Sequence, residues 1–214
     1  MLTLYVEGYF TNVWDASCLV ALEEKQLEFT IARALLRDGQ GVPPGLREDA
    51  AIGRIPALQH GDVFITESLA IVEYLEEVFP PPTHPRLLPE EPRRRARARQ
   101  VMAWLRSDLW ALRQERPWQL VVYPTTSLAP LSPTAAQHAA ELVGLVDWLD
   151  GRGQMTPWNL AHADLAFAVM RLAHGGYSIS RACQQLLDRN LERPSVRSYL
   201  DRERPPNPPP RPRS

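Results

Sequence analysis

The sequence predicts a molecule in two parts, an α/β segment followed by an all-helical segment. Three observations carry this. The first 79 residues read as strand, helix, strand, then a strand hairpin and a helix; a proline-rich stretch follows; and beyond it every periodic segment is helical.

Leu2-Thr3-Leu4-Tyr5-Val6 is a β-branched and aromatic run ended by Gly8. After Tyr9-Phe10-Thr11-Asn12, the residues Trp14, Cys18 and Leu22 recur every four positions, and Glu23-Glu24-Lys25 closes that helix. Leu27, Phe29 and Ile31 then alternate as a second strand. Strand, helix, strand within so short a span forces parallel pairing and a right-handed crossover. Arg37 to Gly45 is rich in breakers and reads as a surface loop. Pro56 pushes Ile55 toward an extended conformation, which leaves its main-chain N–H and C=O able to face a ligand. Gly61-Asp62 separates two apolar runs, 57–60 and 63–66, as an antiparallel hairpin, since glycine enters positive φ at little cost. Thr66-Glu67-Ser68 supplies capping residues for a helix carrying Leu69, Val72, Leu75 and Phe79. The N-terminus of that helix is a seat for a carboxylate.

The prolines from Pro80 to Pro89 cannot be helical, so the expected domains are residues 1–79, a linker over 80–92, a helical domain over 93–202 and a flexible proline-rich tail over 203–214. One long helix is expected from Glu91 to Glu115, stopped by Pro117. Others are expected from Ser132-Pro133 to Gly151, over 158–172, from Ser180 to Arg189 and from Arg193 to Arg202.

A net charge of −1 gives no argument for nucleic acid or a membrane surface as partner, and no apolar run approaches the length that spans a bilayer, so a soluble protein is expected. Cys18 and Cys183 form no Cys-x-x-Cys pair, which suits a reducing cytoplasm, and Cys18 has the spacing of a packing residue. The five histidines show no metal-ligand spacing, so no metal is expected.

Ile55-Pro56-Ala57-Leu58 followed by Glu67-Ser68 resembles the paired motifs of the glutathione S-transferase family, whose fold begins with a thioredoxin-like βαβ-ββα domain. The resemblance implies glutathione as co-substrate. Ile55, beside the cis Pro56, would hold the cysteinyl part, Glu67 and Ser68 the γ-glutamyl end, and Arg37 or Arg54 would reach the glycyl carboxylate. It also implies a homodimer. Leu105-Arg106-Ser107-Asp108-Leu109 with Arg113-x-Glu115-Arg116-Pro117 is similar to a small bacterial subgroup with proposed glutathione-dependent peroxidase or disulfide reductase activity, and hence a role in detoxification and oxidative stress.

A transferase must hold the glutathione sulfur as thiolate by donating hydrogen bonds to it. Counting back from Val20–Lys25 places Asn12 where the family carries its serine, with Val13 in place of proline. Asn12 has amide N–H donors, Thr11 a hydroxyl, and Tyr9 is a third candidate. The departure at Asn12 motivates a second reading, a non-catalytic binding or regulatory relative. In the second domain the family's helix opening of a cap followed by an aspartate falls on Ala161 to Asp164. There Asp164 would accept hydrogen bonds from the preceding turn, and His162 would be a packed or exposed turn residue.

Overall fold

The computed structural model describes residues 1–34, 46, 52–124 and 128–206; the loop expected over 37–45, with Arg37, and the tail beyond residue 206 lie outside the described residues. The chain divides into two compact units. One is Met1–Pro85 joined by the described residues from Asp201 on, and the other is Arg86–Leu200.

In the first unit, β1 (Leu2–Glu7), α1 (Val13–Glu24) and β2 (Phe29–Ala34) form the βαβ unit, and β3 (Ala57–His60), β4 (Val63–Thr66) and α2 (Ser68–Val78) complete it. The sheet order is β2-β1-β3-β4, with β1 parallel to β2 and β3 antiparallel to both its neighbours. Leu2, Leu4 and Val6 alternate into the core of β1, and burying each side chain stabilises by about 1.5–3 kcal/mol. Gly61 sits at φ 64 in the two-residue turn, the backbone state for which its lack of a side chain was read. Lys25, fully buried after α1, donates to Glu76 Oε2 at 2.5 Å and to the Phe79 carbonyl at 2.8 Å, so the ends of α1 and α2 are joined by a compensated charge.

The second unit runs α3 (Pro92–Ser107), α4 (Trp110–Glu115), α5 (Gln119–Val122), α6 (Pro133–Asp150), α7 (Leu160–His174), α8 (Arg181–Leu191) and α9 (Pro194–Leu200). The single helix expected over 91–115 is instead two. Asp108 turns extended and Leu109 takes a left-handed φ of 58. Neither residue announces a break. It is held by side-chain bonds across the break: Asp108 Oδ1 accepts from the Leu109 N–H at 2.8 Å, and Arg113 Nη1 donates to the Arg106 carbonyl left at the interrupted end, also at 2.8 Å. Helix α7 is buried on nearly every side, the mark of a core helix. Phe167 packs with Trp118 and Tyr199, and Trp118 Nε1 donates to the Tyr199 hydroxyl at 3.0 Å.

Candidate functional site

The loop between β1 and α1 is organised by two buried carboxylates that the sequence reading did not single out. Glu7 Oε2 accepts from the Tyr9 N–H at 3.2 Å, the Thr11 N–H at 3.0 Å and the Thr11 hydroxyl at 2.8 Å. Asp15 Oδ2 accepts from the Glu7 N–H at 2.7 Å, and Asp15 Oδ1 from Asn12 Nδ2 at 2.8 Å. Burial pushes the Asp15 carboxyl well above its usual range and the neighbouring charge of Glu7 adds to this; the Glu7 N–H and the Asn12 amide oppose it. The Asn12-x-x-Asp15 spacing of a helix start was the available signal for Asp15. Glu7, at the end of a strand, gave none.

Of the three candidates for the sulfur, the structure gives each a different setting. Asn12 caps α1, its Oδ1 accepting from the Trp14 N–H at 3.2 Å, while its Nδ2 also reaches the Ile55 carbonyl at 3.3 Å. The hydroxyl hydrogen of buried Thr11 goes to Glu7. Tyr9 joins the cluster through its backbone. Asn12 is therefore brought to the Ile55-Pro56 element, whose peptide bond is cis.

The start of α2 departs from the expected cap. Glu67 stands at φ 66, ψ 114 and makes no side-chain capping bond. A non-glycine residue there is strained by ~1–3 kcal/mol. The other helices of eight or more described residues each start with a capping side chain: Asn12, Glu91, Ser132, Asn159 and Ser180. Ser68 is buried at this position, whereas Arg54 and Glu67 are 76% and 56% exposed in their side chains and 3.9 Å apart.

Three further expectations resolve structurally. Cys18 is fully buried in α1, and Cys183 is buried with its thiol pushed up by burial. The cap of α7 is Asn159: its Oδ1 accepts from the Ala161 N–H at 3.1 Å, and His162 Nδ1 accepts from the Asn159 N–H at 3.2 Å. His162 Nε2 lies 3.0 Å from the Gln154 carbonyl, which fixes the neutral tautomer, and burial lowers its pKa to about 4. Asp164 pairs with Arg106 Nη1 at 2.7 Å in place of the bonds expected from the preceding turn, because Asn159 has taken the capping work.

A four-stranded mixed sheet entered through a cis proline, followed on the same chain by an all-helical unit, defines a thioredoxin-like domain with a helical companion. The chain belongs to the glutathione S-transferase family. It matches that family's N-terminal domain over residues 2–77 and its C-terminal domain over residues 91–201. It is similar to mouse glutathione S-transferase theta-3, at 28% identity over 164 residues that cover 74% of this chain and 66% of that protein. Maleylacetoacetate isomerase of Pseudomonas aeruginosa is 37% identical over 108 residues, 49% of each chain. A crystal structure of a glutathione transferase homologue from Burkholderia strain BGR1, with bound glutathione, superposes with a TM-score of 0.73 at 30% identity, covering 94% of this chain and 96% of that one.

Proposed function

We propose that this chain is a glutathione-dependent transferase that holds the tripeptide at the start of α2 and activates its thiol beside Asn12. The observation that carries the reading is the uncapped, strained helix start at Glu67-Ser68, since strain of this kind persists where a surrounding structure holds it for use. The γ-glutamyl carboxylate takes the N–H groups of α2 and the Ser68 hydroxyl, Glu67 accepts from the γ-glutamyl ammonium, and exposed Arg54 meets the glycyl carboxylate.

The Ile55 carbonyl pairs with the cysteinyl N–H. Its bond from Asn12 Nδ2 is long at 3.3 Å, so its exchange for the cysteinyl N–H releases an amide hydrogen of Asn12 to the sulfur. Thiolate is favoured by that donor and by the N-terminus of α1. Asn12 is thus the donor to sulfur, Thr11 is a positioning residue through Glu7, and Tyr9 a neighbour of the bound thiol. The thiolate then forms a bond to an electrophilic carbon and displaces its leaving group, or attacks a peroxide oxygen or a disulfide sulfur, a second glutathione completing those two reductions. The same reading assigns a homodimer in the cytoplasm.

Turnover on a panel of aryl halides, hydroperoxides and mixed disulfides tests this. Asn12→Ala is expected to lower turnover with little change in glutathione affinity. Undiminished turnover in Asn12→Ala would remove Asn12 from the chemistry.

A further inference from the structure

Among the described residues, Lys25, Arg106 and Arg116 are largely buried cations with hydrogen-bond acceptors, and Arg171 contrasts with them. Lys25 has Glu76 and the Phe79 carbonyl, Arg106 has Asp164 and the Met102 carbonyl, and Arg116 donates to the carbonyls of Glu115 and Ala129. Arg171, in the last turn of α7, is only 7% exposed, yet its Nε has no hydrogen-bond partner and its guanidinium faces no carboxylate among the described residues. Burying an ion without a counter-charge is among the costliest arrangements in a protein interior.

The surroundings add positive charge. Burial, with the neighbouring charge of Arg113 added, lowers the Arg171 pKa to about 10, which leaves the guanidinium cationic at neutral pH. Arg116 lies against the same final turn: a side chain at Gly175 would come within 2.8 Å of its Nε, and the Gly175 N–H is bonded to the Arg171 carbonyl. Of the acids nearby, Asp108 acts electrostatically on Arg113 and Glu115 on Arg116, while Arg171 has burial and the charge of Arg113 acting on it. Glu115 takes both the N–H and the hydroxyl of Ser132, and Asp108 takes the Leu109 N–H.

We propose that Arg171, with Arg113 and Arg116, forms an oxyanion-binding site in the helical unit, one that accepts the carboxylate or phosphate group of a small acidic molecule. Planar guanidinium forks suit both groups, and the buried Arg171 Nε, which lacks an acceptor, is matched by an oxyanion that can supply one. The site stands apart from the glutathione reading, because every residue in it belongs to the Arg86–Leu200 unit. Ser68→Ala should leave it intact.

The test is thermal unfolding of the full chain in increasing sodium phosphate or sodium acetate, against sodium chloride at matched ionic strength, with calorimetric titration of the same two anions. At about ten times its dissociation constant, phosphate or acetate is expected to raise the melting temperature by about 3 °C or more beyond the chloride control. A response to phosphate alone assigns a phosphorylated ligand, and one to acetate alone a carboxylate. Arg171→Met should lose the response while melting no lower than the parent in chloride, since it removes an uncompensated charge. Should that variant fail to fold, Arg171→Lys and Arg113→Met are expected to weaken the anion at least fivefold. Indistinguishable responses to all three salts, or an unchanged anion affinity in the variants, would overturn the proposal.

Discussion

Two helix starts in this chain solve the same physical problem in opposite ways. Every helix begins with N–H groups that have no partner inside it. At α7 the chain satisfies them from within: the Asn159 side chain takes one, and His162 returns a bond to the Asn159 backbone. At α2 no side chain caps the start, and Glu67 is held at positive φ. The closed start belongs to the core of the helical unit, and the open start to the element that matches the family's glutathione motif. The closed start serves stability, and in the proposed function the strained start serves a ligand.

Acid should break the closed start first, and with the largest effect. His162 is neutral in the fold with a pKa of about 4, against 6.5 when unperturbed. Its contribution is present above 6.5 and is lost as the pH falls toward 4, where His162 protonation would remove the acceptor for the Asn159 N–H. The difference corresponds to ~3 kcal/mol over that window. Urea unfolding across the range should show this slope, and His162→Gln, which keeps a side-chain acceptor at that position, should flatten it.

At the open start, Ser68→Ala is expected to weaken glutathione tenfold to a hundredfold, as loss of a hydrogen bond to a charged group costs about 1.5–3 kcal/mol, with little change in unfolding free energy. Calorimetry and urea unfolding on one preparation separate the two. Asn159→Ala should do the reverse, costing about 1 kcal/mol of stability with glutathione affinity intact. The smallest effect is reserved for Cys18→Ala. Cys18 is sealed inside α1, so turnover should be unchanged; loss of turnover in this variant would move the nucleophile away from glutathione.

Much of this was legible in the sequence. The hairpin followed from alternation around Gly61, and the start of α6 from Ser132-Pro133, because those signals are local and covalent. What escaped depends on side-chain bonds and backbone angles that no residue pattern signals. The break at Asp108-Leu109 carries no glycine or proline and depends on Arg113 reaching back to Arg106. The hydrogen bonds to Glu7 that shape the Tyr9–Thr11 loop needed the fold before they could be seen, and Glu67 looked like an ordinary capping residue until its φ was known. Asp164 was read as a turn acceptor because its arginine partner lies 58 positions away.

The most direct test of the open start is titration of the protein and of Ser68→Ala with glutathione, following heat and the ultraviolet absorbance of the thiolate together. Saturable binding with a lowered thiol pKa in the parent, and its marked weakening in Ser68→Ala, is the predicted result. No heat of binding in the parent, or equal affinity in the two proteins, would contradict the assignment of α2 as the glutathione seat.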